Sequence, residues 1–418
     1  MQLKKISIKN FKGIEEKTII FKPGFNLIKG SNGRGKTSIL EAIAVGLGGF
    51  IAGLPDVTTR HFSSDEVRNV YMKMGDGSYD RTYVMPVEVS MEAVLDGEEF
   101  KWTRGKSSIN ASRSTTQPRD IYKKAEEMAG DNNIEFPVLV YLSAGRVWSQ
   151  KRERTENIFR KQYFRTVGYT DALIDASSVK LLLNWCMKME MVAWQKEKKI
   201  AEYEAVKQAV AKFMDIMEES EGHEVFYDKQ EEQLMYTVEN TIFPITQLSA
   251  GYQSLVWMAL DIAYRMAVLN PDKKEHIAET KGIVLIDEID MHLHPRWQWN
   301  IVNALQNVFP NVQFIAATHS PILFAASNDL WLIDVEEEEV NYTESKCGYD
   351  ANAVLEIFMG AKSQNPETEK LIHSIYVAIH NKEYELAEAK IQELADITSE
   401  NYSEVVAARM ELKRSRHI

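Results

Sequence analysis

The chain has 418 residues, enough for two or three ordinary domains, and its apolar fraction of 44% is that of a soluble globular protein with a sizeable core. Acidic residues outnumber basic ones, 61 to 49, for a net charge of −12. This excludes a coat of basic surface while leaving room for a local basic groove. The two cysteines, Cys186 and Cys347, have no metal-ligand spacing around them and fit a reducing cytosol. The opening MQLKKISIKNFKGI lacks the apolar run of a signal peptide. No stretch approaches the roughly 18 apolar residues of a membrane span. A cytoplasmic protein with no membrane contact is expected.

Residues 2–8 alternate apolar and polar and predict a strand, with further strands over 17–21 and 25–29. A glycine-rich turn and a helix from Lys36 to about Leu47 follow. The turn, Gly30-Ser31-Asn32-Gly33-Arg34-Gly35-Lys36-Thr37, fits GxxxxGK[ST] in the strand–turn–helix context that the motif requires, with Ser38 next in the helix. Its glycines let backbone N–H groups point at phosphate oxygens, and the helix adds its positive N-terminal end. Lys36 is expected to reach the β- and γ-phosphates of ATP, and Thr37 to place its hydroxyl on Mg²⁺. The strict alternation of 86–95, the turn pair Asp96-Gly97 and the run Phe100 to Thr103 predict a hairpin. Residues 107–133 read as loop plus helix, and Phe136 to Leu142 as a short apolar strand.

From about Lys151 to Ser220 proline disappears, glycine is nearly absent, and apolar residues recur at three- and four-residue steps, which predicts helices. Residues 224–229 and 233–238 form a second predicted hairpin. Gln247-Leu248-Ser249-Ala250-Gly251-Tyr252-Gln253 precedes an apolar helix reaching about Leu269. It resembles the ABC signature LSGGQ, and Ser249 with the Gly251 amide at a helix start is suited to grip a γ-phosphate. Ile283-Val284-Leu285-Ile286-Asp287-Glu288 is an apolar strand ending in two carboxylates, the Walker B pattern. Asp287 is expected to hold Mg²⁺, and Glu288 to orient or deprotonate the attacking water. A helix over Trp297 to Val308 leads to the strand Gln313 to Ala317 and then Thr318-His319-Ser320-Pro321, with His319 in the place of a γ-phosphate switch. Leu330 to Asp334 is the last predicted strand, Glu336 to Glu339 reads as a solvated edge, and the tail from Asn352 is mainly helical.

In this order the motifs identify a family. The run IKNFKGIEEKTIIFKPGFNLIKGSNGRGKTSILEAI resembles the first lobe of ABC-class ATPases of the SMC/RecF/OLD-like branch. Ile289-Asp290 resembles the D-loop, continued by MHLHP as in the RecF/OLD-like members; His292 and His294 then shape that loop rather than bind metal. The resemblance implies an α/β fold, an ABC/SMC-type P-loop ATPase head with a mixed β lobe, a parallel-sheet core, a short helical insert and a helical tail. The implied divisions are 1–150 for lobe I, 151–223 for the insert, 224–345 for lobe II and 346–418 for the tail. It also implies a homodimer that completes two ATP sites, each signature serving the phosphate held by the other copy. One departure is that Pro137 to Arg146, where a Q-loop is expected, carries no glutamine, leaving Ser143 or the backbone to take its metal contact.

More narrowly, the short insert, YLSAGRVW, QLSAGYQSL and the tail resemble the stand-alone ATPases of bacterial anti-phage systems, the Septu type that also accompanies some retrons, and more distantly that of PARIS. This implies a nucleotide-driven switch that controls a separate effector, an HNH nuclease or toxin. The rival is a repair ATPase that binds DNA itself. Arg146, Lys151, Arg152, Arg154, Arg160, Lys161 and Arg165, interleaved with Trp148, Phe159, Tyr163 and Phe164, suit either nucleic acid or a solvated helix face, as does Lys413-Arg414-Ser415-Arg416-His417. The residues after Asp334 contain no DxD motif, so no nuclease centre is expected in this chain. In the tail, Ile372, Ile375, Tyr376 and Ile379 share one helical face, as do Ala387, Ile391 and Leu394. Such faces bury against the ATPase lobe or against a partner.

Overall fold

A computed structural model describes residues 1–75, 77–131, 133–145, 164–174, 179–239, 241–345, 352–354, 356 and 365–416. They fall into two units, Met1–Gly348 and Tyr349–Ile418.

In the first unit, alternation builds one sheet and continuous apolar runs build another. Strands β1 (Gln2–Phe11), β2 (Ile14–Ile20), β6 (Val87–Leu95), β7 (Glu98–Lys106) and β8 (Thr115–Gln117) form an antiparallel sheet in the order β2-β1-β6-β7-β8. In β6, Val87, Val89, Met91, Ala93 and Leu95 are buried while the residues between them are half-exposed, the period-two signature of a sheet with one wet face. The second sheet holds β3 (Phe25–Lys29), β9 (Val138–Leu142), β13 (Gly282–Ile286), β14 (Val312–Ala317) and β15 (Leu330–Asp334), with β16 (Asn341–Glu344) antiparallel on one edge. Its order is β16-β15-β3-β14-β13-β9. Strands β9, β13 and β14 are buried along their whole length, as parallel strands covered on both faces must be.

Helix α1 (Lys36–Ile51) packs against strands of both sheets, and every residue from Ile39 to Ile51 is buried. A helix apolar on all sides has no wet face to offer, which is why it lies between layers. The Trp102 indole of β7 closes onto it with a 2.9 Å hydrogen bond to the Gly46 carbonyl. Helix α2 (Asp120–Gly130) covers the far end of α1.

The insert region contains α3 (Val179–Lys196) and α4 (Ala201–Glu218). Tyr203, Val206, Val210, Phe213 and Met217 make one buried face of α4, which packs on α5 (Ala250–Leu269) and α6 (Pro295–Val308). Strands β10 (Glu224–Asp228), β11 (Gln233–Val238) and β12 (Thr241–Pro244) form a small antiparallel sheet.

Two differences from the sequence reading have physical causes. Strand β2 starts at Ile14, not 17, because the pair Phe11↔Ile14 carries the β1 hairpin through Glu15 and Glu16, whose charges hide the strand. Strands β4 (Asn69–Lys73) and β5 (Tyr79–Tyr83) form a hairpin that no pattern announces, since nearly all their residues are exposed and no alternation in polarity is required.

In the second unit, helices Pro366–His380, Tyr384–Ile397 and Ser403–Arg416 close on one another. Ile375, Ile379, Ala387, Ile391, Leu394, Val405, Ala408 and Leu412 form one cluster. This corrects the expectation for the tail: its two apolar faces are buried against each other, forming a small core of the tail's own. Tyr376, expected on that face, is 36% exposed and reaches Glu404 instead. No helix among the described residues is long and apolar enough to cross a membrane.

Candidate nucleotide site

The carboxyl ends of four neighbouring strands of the parallel sheet converge on one edge. Beyond β3 comes the phosphate loop, beyond β14 the residues Thr318 and His319, beyond β13 Asp287 and Glu288, and beyond β9 Ser143. Ligands of open α/β sheets bind at such an edge, because the loops and helix starts gathered there carry the unpaired backbone donors. Gly33 and Gly35 adopt φ of 83° and 86°, left-handed values that a side chain would resist. Gly35 is the N-cap of α1 and supplies no side-chain cap, so the first N–H groups of the helix remain open to an anion. Asn32, Gly33 and Arg34 are exposed, and Ser38 is half-buried in the first turn.

Lys36 is 6% exposed. Its ammonium donates to the Gly30 carbonyl at 2.6 Å and the Ser31 carbonyl at 3.2 Å, with His319 Nδ1 at 3.4 Å. Burial holds this ammonium below the ordinary lysine value, opposed by the carboxylates of Asp287, Glu288, Glu336 and Asp290. Thr37 Oγ1 donates to Asp287 Oδ1 at 3.2 Å, so a hydroxyl and a carboxylate stand together as hard oxygen donors of the kind that suit Mg²⁺. The Asp287 amide donates to the Leu142 carbonyl at 2.8 Å, which sets Ser143 of the glutamine-less segment beside the end of β13. Arg146 lies outside the described residues. Glu288 turns away from the strand at φ 44°, a conformation uncommon for a residue with a side chain, and its carboxylate accepts no hydrogen bond among the described residues.

Two connections were not foreseen in the sequence. Asp290 ties the D-loop to the switch segment by accepting from the Thr318 hydroxyl and, at 3.4 Å, from the His319 amide. Glu336 corrects the reading of the glutamate run as wholly solvated. Glu337, Glu338 and Glu339 are exposed, but Glu336 Oε2 accepts from the Ser31 amide at 2.6 Å and Oε1 from Arg34 Nε at 3.1 Å. The Ser31 amide, with help from Arg34, holds this carboxyl below the usual range. An anion is thus already accommodated on the loop. The only hint in the sequence was the position of Glu336 two residues past β15, which neighbours β3.

The signature residues lie elsewhere. Ser249 is the N-cap of α5, its Oγ accepting from the Tyr252 amide at 3.5 Å. A Cβ on Gly251 would lie 2.6 Å from the His292 carbonyl oxygen and 2.9 Å from the Trp297 ring, so the D-loop packs directly on the signature turn. His294 caps α6 by accepting from the Arg296 amide at 3.3 Å, a structural role in keeping with the absence of any His/Cys/Asp/Glu metal cluster among the described residues. Among the described hydrogen bonds, neither Ser249 nor Gly251 reaches the phosphate loop of the same chain.

Residues 5–236 match the family model described as AAA domain, and residues 213–325 match a second AAA-domain model. The chain belongs to the AAA-domain family. Among curated relatives of this ATPase, the retron Vc95 protein of Vibrio cholerae serotype O1 biovar El Tor, named a probable ATPase, is 24% identical over 92% of this chain and 83% of its own length. The retron Ec83 probable ATPase of Escherichia coli is 25% identical over 92% of this chain and 81% of its own. The Septu protein PtuA of Bacillus mycoides is 28% identical over 91% of this chain, which spans only 48% of that relative. Among solved structures, an SMC head bound to the C-terminal winged-helix domain of ScpA superposes with a TM-score of 0.50 at 15% identity, covering 82% of this chain and 98% of the head. The fold is that of an ABC/SMC-type ATPase head, and the chain is an ATPase most like those of Septu and retron systems.

Lys36→Ala removes an ammonium that hydrogen-bonds within the loop, and with it a charge-assisted phosphate contact worth about 1.5–3 kcal/mol. ATP affinity measured by calorimetry is expected to fall by roughly ten- to 150-fold at 25 °C. Unchanged affinity in a folded variant would take Lys36 out of its role. Glu336→Gln is expected to act in the opposite direction: the carboxylate that now occupies the Ser31 amide loses its charge, and phosphate competes more easily for the loop. The same titration should show tighter ATP binding, by about two- to tenfold for an exposed charge-assisted contact. Weaker binding would mean that Glu336 organises the loop and does not block it.

Proposed function

We propose that this ATPase is the nucleotide-driven switch of an anti-phage defence complex, in which two copies pair head to head around two ATP molecules and so control a separate effector protein, an HNH nuclease or a toxin. The observation that carries the reading is the division of the machinery: Lys36, Thr37, Asp287 and His319 are joined by hydrogen bonds at one sheet edge, while Ser249 and Gly251 sit on another part of the same unit. A signature turn with an exposed cap and no loop of its own to serve is completed by a second copy.

In this reading Gly30 to Ser38 bind the phosphates, and Thr37 and Asp287 hold Mg²⁺, which neutralises phosphate charge when bound. Glu288 takes a proton from the attacking water, and His319 senses the γ-phosphate next to Lys36. Asp290, bonded to Thr318 and His319, passes that state to the D-loop and thence to the signature turn packed on it. The names of the relatives, retron ATPases and Septu PtuA, support a defence role for the chain. Direct DNA binding gains no support from the described residues. Arg146, Lys151, Arg152, Arg154, Arg160, Lys161, Trp148, Phe159 and Tyr163, and His417 of the C-terminus, lie outside them. Arg165 holds the Leu269 and Ile134 carbonyls at 2.7 and 2.6 Å, and Arg416 pairs with Glu388.

The tail supplies the test of output. Because its helices share a core of their own, removing residues 366–418 takes away a self-contained packing unit. The shortened protein is expected to bind and hydrolyse ATP as before but to lose co-purification of the protein encoded beside it and to lose protection of cells against phage. Retained assembly and retained protection would show that the tail is neither dock nor relay.

A further inference from the structure

Away from the nucleotide cluster, a cavity of about 1210 Å³ lies among the end of α1, residues 57–61, the segment leading into β8 and the first turn of α2. Its wall is basic and rich in hydroxyls, with Thr58, Thr59, His61, Arg113, Thr116 and Arg119, and no acidic side chain among the described residues lines it. Behind the wall stands Arg104, 0% exposed. Its guanidinium meets Thr59 Oγ1 at 3.2 Å, Thr116 Oγ1 at 3.5 Å, His61 Nδ1 at 3.2 Å and the Arg60 carbonyl, while Nε has no partner. None of these partners is a carboxylate. A guanidinium buried without a counter-charge is costly, and it raises the affinity of the adjoining space for an anion. The surrounding field agrees: besides burial, Arg104, Arg113 and Lys106 all push the His61 pKa down.

We propose that this cavity is a second anion site that receives the phosphate monoester of a nucleotide. Arg113 and Arg119 are exposed at the wall, and guanidinium forks match phosphate oxygens two at a time. Arg119 is held over the Tyr122 ring, 4.6 Å from its centroid, so its fork is already oriented. The threonine hydroxyls accommodate the remaining phosphate oxygens and a ribose, and the volume exceeds what inorganic phosphate alone would fill. The monoester comes from a free mononucleotide or from the 5′ end of a single strand, and the two present the same chemistry to the arginines.

The test uses the full chain carrying Lys36→Ala, which weakens the phosphate loop, with and without Arg113→Ser and Arg119→Ser. Labelled ADP, labelled AMP and a short 5′-phosphorylated oligonucleotide are dialysed to equilibrium against each protein, and thermal melting confirms that each is folded. At least one probe is expected to bind the Lys36→Ala protein near one per chain, with affinity falling about tenfold or more when the two arginines are replaced. Binding of the mononucleotides assigns a free-nucleotide ligand. Binding of the oligonucleotide alone, lost without its 5′-phosphate, assigns a strand end. Absence of binding by every probe, or binding indifferent to Arg113 and Arg119, overturns the proposal. Dimerisation and the effector take no part in these readouts, so the outcome is independent of the proposed switch function.

Discussion

Glu288→Gln is expected to lower steady-state ATP hydrolysis by about 10²–10⁴-fold while leaving ATP bound. The substitution keeps the shape of the side chain and removes its ability to accept a proton. Glu288 is placed for that task by the backbone: it follows Asp287 directly, turns out of the strand at φ 44°, and has no hydrogen bond of its own to lose. Lys36, Thr37 and Asp287 keep their mutual contacts, so nucleotide affinity should stay near wild type. If two copies close around ATP and reopen after cleavage, the variant accumulates as a dimer. Phosphate release at saturating ATP and molar mass by light scattering measure both effects. Hydrolysis at the wild-type rate would move the proton acceptor to another residue, and a monomer at saturating ATP would remove the trapped state.

Ser249→Arg separates binding from assembly. An arginine at the N-cap of α5 projects a long cation from the turn that the second copy is proposed to present to the γ-phosphate, and it blocks close approach. Loss of the Ser249 cap costs about 0.5–2 kcal/mol. Helix α5 survives this because its residues from Ser254 to Val256 and from Met258 to Leu260 are buried against the rest of the unit. ATP affinity should remain, the nucleotide-dependent dimer should disappear, and hydrolysis should fall about 10²-fold or more, as when a transition-state donor is removed. A wild-type protein whose hydrolysis per chain does not depend on concentration while it is shown to be monomeric would refute the composite site.

Much of this was legible in the chain because the chemistry demands particular residues at short range. The phosphate loop needs glycines at left-handed positions, a lysine and a hydroxyl within eight consecutive residues, so Gly30 to Thr37 could be read directly. The Walker B strand is a buried parallel strand, which leaves an unbroken apolar run before Asp287. The alternation of β6 and the Asp96-Gly97 turn likewise lie in local sequence. By contrast the β4–β5 hairpin, exposed on both faces, imposes no pattern and left no trace.

Other features belong to tertiary structure alone, because they depend on which strand lies beside which. That β3 neighbours β15 brings Glu336 onto the Ser31 amide across 305 positions of sequence. That β14 lies between β3 and β13 puts His319 beside Lys36 and under Asp290. The tail showed its apolar faces plainly, but periodicity says only that a face must be covered and not by what; the three helices cover one another. The uncompensated charge of Arg104 was equally invisible, since in sequence it is one more basic residue in an alternating strand, and only burial without a carboxylate makes it a statement about a ligand. Sequence therefore determined the residues that touch phosphate, through local backbone geometry. The fold alone decided what each charge faces, because electrostatic partners are set by strand order and burial and not by spacing along the chain.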